Sequence, residues 1–122
     1  MMSPSGAPAV SVVVPLYNEE ENVALLQGEL TTALAGIDYE IIFVDDGSTD
    51  ATIARIVPNE RVRVLPFAQN AGQSAAMYAG LHAAGGAVAV LIDGDLQNDP
   101  ADIPKLLREI DAGADLVCGY RA

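Results

Sequence analysis

Apolar and polar positions in this chain switch repeatedly between a two-residue and a 3.6-residue period. Residues 10–14 form a short β-branched run that ends at Pro15. Val23, Leu26, Leu30 and Leu34 then fall on one helical face, and Asn18 with Glu21 reads as an N-cap and its capping-box partner. Residues 40–44 predict a second strand, and residues 49–56 a short helix that must end before Pro58. Residues 61–67 alternate, as a third strand nearer a sheet edge would. Residues 73–84 are Ala-rich and predict a helix packed closely on the sheet, ended by Gly85-Gly86. Residues 87–92 read as a fourth strand, the most buried of the set by its pattern. Ile103, Leu106, Leu107 and Ile110 mark an amphipathic helix between Pro100 and Gly113, and residues 115–118 a fifth strand.

Strand and helix in alternation imply an α/β architecture: a Rossmann-like, mostly parallel sheet with helices on both faces and right-handed crossovers. The chain of 122 residues, 51% of them hydrophobic, is long enough for one domain with a real core. Residues 1–9 read as a loose Ser/Pro/Gly leader without the charged and apolar regions of a signal peptide, and residues 10–122 as the domain. The chain stops just after a strand, where crevice residues usually begin, so a fragment of something longer is expected.

Charge narrows the function. The formal net charge is -11, with six Lys and Arg against seventeen Asp and Glu. Non-specific nucleic-acid binding needs clustered cations and is excluded. Cys118 stands alone, which rules out an internal disulfide, and is expected in the core of a strand. No apolar run approaches the ~18 residues of a membrane span. The expected compartment is cytoplasmic.

The acids that matter follow strands. Asp93 and Asp95, flanking Gly94 and followed by Gln97, come directly after the fourth strand. In an open parallel sheet that end opens into the ligand crevice. Two carboxylates and an amide oxygen on alternate residues can converge on one hard divalent cation, which could grip a diphosphate. The competing reading is an acidic loop in which Asp99 and Asp102 cap the next helix. A phosphatase-type Asp-x-Asp pair would follow the first strand of its domain instead of the fourth.

Asp45-Asp46-Gly47-Ser48 follows the second strand. Ser48 or Asp50 could cap the next helix, but that leaves the adjacent acids unexplained, since paired acids are costly unless bound or hydrated. Asp46 could accept from a base N–H. The loop at Pro15, Tyr17, Asn18 and Glu19 has no Gly, which argues against a dinucleotide fingerprint. Its aromatic ring and carboxylate suit a nucleoside base; equally, Tyr17 could pack and Glu19 complement a helix dipole. Residues 69–74 form either a site for an anion near a helix N-terminus or an ordinary loop. His82 is the one histidine and makes no triad, and Met77 and Tyr78 on the same helix are expected to pack.

These residues in this order resemble glycosyltransferase family 2 enzymes of GT-A fold, and within them the polyprenyl-phosphate sugar transferases. The stretches that carry the resemblance are 14–19, 45–48, 70–73, 93–100 and 119–121. The resemblance implies that Pro15, Tyr17 and Glu19 line a nucleoside pocket and that Val44 and Asp46 contact the base. Asp93, Gly94 and Asp95 would meet ribose, metal and diphosphate, with Asp95 central to catalysis. Gln97 would join Asp93 and Asp95 on Mn²⁺ or Mg²⁺, and Arg121 would lie near the donor's phosphate or sugar.

The implied reaction moves a sugar from a nucleoside-diphosphate sugar to a polyprenyl phosphate or glycan acceptor. A nucleotide-binding module without transfer activity is the alternative for so short a chain. Gln69 stands where an Arg is common. The family's catalytic domain is roughly twice as long, so this chain resembles its donor-binding half. Acceptor contacts and any membrane association at the cytoplasmic face would come from later segments. An open sheet edge would favour a homo-oligomer.

Overall fold

The computed structural model describes residues 8–92 and the strand Leu116–Cys118. Five strands form one parallel sheet: β1 (Val10–Leu16), β2 (Tyr39–Asp45), β3 (Val62–Pro66), β4 (Val88–Leu91) and β5 (Leu116–Cys118), in the spatial order β3-β2-β1-β4-β5. Helix α1 (Val23–Ala33) follows β1, and α2 (Gln73–Ala83) follows β3.

The two faces of the sheet bury different residues, as the strand period of two requires. Val10, Val12, Val14 and Leu16 of β1 join Ile41 and Phe43 of β2 beneath Val23, Leu26, Leu30 and Leu34 from α1 and its C-cap. Val13, Ile42, Val44 and Leu91 face the other way, onto Ala76 of α2. Helices therefore cover both faces, as the alternating pattern implies. Small residues set how closely α2 sits: a Cβ at Gly80 would overlap Val13 and crowd Val44.

Four local expectations need correction. Helix α1 begins at Val23 with Asn22 at its N-cap, and Asn18 adopts φ +52, a left-handed conformation incompatible with capping. The helix expected over 49–56 shrinks to one 3₁₀ turn at Ile53–Arg55, since only Ile56 of this segment has core to bury into. Central β1 is buried more completely than β4. Tyr78 is 66% exposed and sits edge-on to His82, with ring centroids 4.4 Å apart, whereas Met77 packs against the α2-side core. The helix expected around Ile103–Ile110 lies outside the described residues.

Backbone direction explains why a central strand tolerates Pro15. The Val13 carbonyl accepts from the Ile92 N–H at 3.0 Å, and the Leu16 carbonyl accepts from the Asp46 N–H at 2.8 Å. Odd positions of β1 therefore face β4, and even positions face β2. Among the described residues the β1–β4 pairing runs to Val13–Leu91, and Pro15 takes no part in it. β1 leads to the left of the sheet order and β4 to the right, which is the topological switch point where ligands bind in open α/β sheets.

Candidate active site

Three loops meet at the C-terminal ends of β1, β2 and β3. The first carries Tyr17, 48% exposed at the crevice. Asn18 turns the chain there, and both ends of Asn18 are fastened to the loop after β2. Its N–H donates to Ser48 Oγ at 2.9 Å, and its Oδ1 accepts the Thr49 N–H at 2.8 Å. The Glu19 N–H donates to Thr52 Oγ1 at 2.9 Å. Glu20 then bonds both ways with the next loop: its N–H donates to Asp50 Oδ2 at 3.3 Å, and its Oε2 accepts the Ala51 N–H at 3.1 Å. The Glu19 carbonyl accepts from Asn22 and Val23, and its side chain accepts from Asn22 Nδ2 at 3.2 Å, so Glu19 also starts α1.

The adjacent acids both accept hydrogen bonds from the loops around them. Asp45 is 2% exposed and accepts from Ser48 twice, from the N–H at 2.9 Å and from Oγ at 2.6 Å. Ser48 Oγ thus relays Asp45 to the Asn18 N–H. Asp46, 4% exposed, points to the opposite neighbour. Its Oδ1 accepts from the Ala71 N–H at 2.7 Å, and its Oδ2 from Asn70 Nδ2 at 3.0 Å. The Gly72 N–H reaches both oxygens, at 3.2 and 3.0 Å. Hydrogen bonds of this charge-assisted kind are each worth about 1.5–3 kcal/mol, which is how two neighbouring carboxylates remain buried without a cation.

Gly47 lets the second and third loops touch. At φ +73, a Cβ there would lie 2.5 Å from the Asn70 nitrogen and 2.6 Å from the Gln69 carbonyl carbon. Asp50 is held below its ordinary value of 3.8. Burial raises it, but hydrogen bonds from the Thr52 hydroxyl, the Thr52 and Glu20 N–H groups and its own main chain together outweigh burial.

The structure thus places Asp46 against the loop at residues 70–72, Tyr17 and Glu19 on the loop clasped to the one after β2, and Pro15 in register with Val44 on the neighbouring strand. Val44 has no exposed surface, because strand alternation turns its side chain onto the α2 face. Ile92, after β4, lies beside Val13, so the chain leaves the described residues at the same crevice. Asp93, Gly94, Asp95, Gln97 and Arg121 lie outside the described residues. Among the described residues no cluster of three His, Cys, Asp or Glu could hold a metal, and Asp45 and Asp46 are already committed to N–H and O–H donors. Asn18, Ser48 and Thr52 are the site residues that sequence reasoning missed. The signal available was the pairing of Asn18 with a Ser-Thr stretch after the next strand, and only the tertiary contact gives it meaning.

Two of the described cations lie elsewhere. Arg61 pairs with Asp38 at 3.3 Å and lies over the Tyr39 ring, and Arg63 pairs with Glu40 at 2.9 Å and donates to the Ala83 carbonyl. Both sit at the N-terminal end of β3, away from the crevice.

The model for glycosyl transferase family 2 matches residues 11–122. The chain belongs to this family. Its sheet order and crevice are those of the GT-A glycosyltransferases: over 87% of this chain it superposes, with TM-score 0.72 and 29% identity, on glucosyl-3-phosphoglycerate synthase from Mycobacterium tuberculosis in complex with Mn²⁺, UDP and glucosyl-3-phosphoglycerate, covering 40% of that chain. Curated family members include the dodecaprenyl-phosphate galacturonate synthase of Rhizobium johnstonii, 42% identical over 120 residues. The dolichol-phosphate mannosyltransferase of Pyrococcus furiosus is 40% identical over 115 residues. Each match takes in 92% of this chain but only 36% and 33% of the relative, so the chain spans about a third of the length of these family 2 enzymes.

Proposed function

We propose that this chain carries the donor-binding part of a glycosyltransferase that moves a sugar from a nucleoside-diphosphate sugar to a polyprenyl phosphate. The observation that carries this reading is the meeting of the Tyr17 loop, the clasped loop after β2 and the end of β4 at the switch point of a family 2 sheet. The relatives named for polyprenyl-phosphate products support the acceptor class.

Tyr17 offers a flat face for the base, and Pro15 and Glu19 flank it. Asp93 and Asp95, with Gln97, would hold Mn²⁺ or Mg²⁺, and Arg121 would reach the donor's phosphate or sugar. Such a cation offsets negative charge on the leaving diphosphate. A phosphate acceptor is already ionised and needs no strong general base, in keeping with the distance of His82 from the crevice loops in sequence and its place on α2 beside Tyr78. Among the described residues no helix is long and apolar enough to cross a membrane.

Calorimetric titration of UDP and of GDP, each with and without Mn²⁺, tests the reading on this chain, on a protein of the relatives' full length and on Asp95→Ala. Metal-dependent binding of one nucleotide, lost in Asp95→Ala, supports it and names the base. Failure of both nucleotides to bind either protein refutes it.

A further inference from the structure

We propose that Thr52 is a positioning residue: its buried hydroxyl holds the Glu19 backbone, and through it the loop that carries Tyr17, at the rim of the crevice. The inference deepens the donor-site reading and rests on it for its binding readout alone.

Three observations carry it. First, β1 and β2 pair as far as Leu16–Asp45, and beyond that point side chains take over from the ladder. The N–H groups of Asn18, Glu19 and Glu20, three in succession, donate to Ser48 Oγ, Thr52 Oγ1 and Asp50 Oδ2. Second, of these three acceptor residues only Thr52 is buried, with no exposed surface, and it sits in the middle of the run. Third, its hydroxyl is engaged on both sides. It accepts the Glu19 N–H at 2.9 Å and donates to Asp50 Oδ1, which also accepts the Thr52 N–H at 3.0 Å.

The direction of that relay follows from the partners. An ionised carboxylate only accepts and an N–H only donates, so the hydroxyl hydrogen points to Asp50 and a lone pair to Glu19. On its other side the Glu19 carbonyl accepts from the Asn22 and Val23 N–H groups, where α1 begins. The Glu19 peptide is therefore fixed from both ends, and the Leu16 carbonyl, bonded to the Asp46 N–H at 2.8 Å, fixes the chain just before Tyr17. A ligand that meets a loop already ordered loses less free energy to ordering it. Thr52 thus contributes to binding through the Glu19 backbone.

The test compares two substitutions of nearly the same volume. Thr52→Val keeps the shape and removes both hydroxyl bonds, whereas Thr52→Ser keeps the hydroxyl and loses a methyl. In ¹H–¹⁵N spectra of this chain the Glu19 amide should shift in Thr52→Val and exchange with solvent on the order of tenfold faster, and should stay near its place in Thr52→Ser. In titrations with Mn²⁺, whichever of UDP and GDP binds should bind about tenfold more weakly to Thr52→Val and within about twofold of the unsubstituted protein to Thr52→Ser. A role in packing alone would rank the two the other way, since only Thr52→Ser loses buried carbon. Asp50→Ala, at a partly exposed position, is the second variant should Thr52→Val fail to fold: it releases the hydroxyl hydrogen, and it should speed exchange at Glu19 and weaken binding.

Equal binding by Thr52→Val and the unsubstituted protein would overturn the proposal, and so would a Thr52→Ser protein that binds as weakly as Thr52→Val. An unchanged Glu19 amide in Thr52→Val would overturn it as well. Should neither nucleotide bind the unsubstituted protein, the donor-site reading fails, while exchange at the Glu19 amide still decides the positioning role.

Discussion

Asn18 and Ser48 are joined by a hydrogen bond from the Asn18 N–H to the Ser48 hydroxyl, 2.9 Å long and spanning thirty residues of chain. That hydroxyl simultaneously donates to Asp45 at 2.6 Å, so the backbone next to Tyr17 is tied to a buried carboxylate. The left-handed turn at Asn18, φ +52, survives because its neighbours over-determine it.

Two substitutions at Asn18 separate the turn from the clasp. Asn18→Ala places a Cβ residue in the left-handed region and removes the acceptor for the Thr49 N–H, and should cost about 1–3 kcal/mol in urea denaturation. Asn18→Gly keeps the turn and loses only the acceptor, so its cost should be about 1 kcal/mol. Equal losses would mean that the left-handed conformation carries no strain.

Gly47 and Gly36 share positive φ but differ in surroundings. A Cβ at Gly47 would meet Asn70 and Gln69 backbone, whereas one at Gly36, φ +84, would meet nothing within 4 Å. Gly36→Ala should therefore cost about 1 kcal/mol, from conformation alone. Gly47→Ala should cost about 2–4 kcal/mol, because backbone must move as well. Denaturant midpoints of the two variants check the difference.

Gly80→Ala sets helix propensity against packing. Propensity favours Ala by about 1 kcal/mol, but the added methyl would overlap Val13, itself without exposed surface. Overpacking costs about 1–3 kcal/mol, so thermal unfolding should show net destabilisation. A stabilised variant would show that α2 can move off the sheet freely.

Acid should loosen the clasp at Asp50. Its carboxyl titrates below 3.8 when folded, so as pH falls the unfolded chain takes up the proton first. The stabilisation is complete above 3.8 and is lost as pH drops through the lower folded value. Denaturant midpoints at about pH 6 and about pH 3 should fall less in Asp50→Asn than in the unsubstituted chain. An identical fall in both would remove Asp50 from the acid response.

Tyr17 and Tyr78 are both exposed aromatics, and only the first faces the crevice loops. Each change to Ala should alter stability by no more than about 0.5 kcal/mol. Tyr17→Ala should weaken nucleotide binding on the order of tenfold through lost stacking, and Tyr78→Ala should leave it unchanged. Calorimetric titration of both variants separates them.

The sequence by itself determined the parallel α/β sheet, because β-branched runs such as residues 10–14 and the Val23-Leu26-Leu30-Leu34 stripe have only one way each to bury their apolar side. It also located the loops of the site, since Pro15 and Asp45 stand at strand ends and Gly72 at a helix start in the chain itself. Only the tertiary structure decided what those loops do to one another. Asn18 looked like a helix cap because capping is a local bond, and its actual partners lie thirty and thirty-one residues away. Asp45 and Asp46 stand out in the sequence because adjacent carboxylates repel unless something satisfies them. What satisfies them is Ser48 for one and the N–H groups of Ala71 and Gly72 for the other, donors that strand order, not sequence proximity, brings within reach.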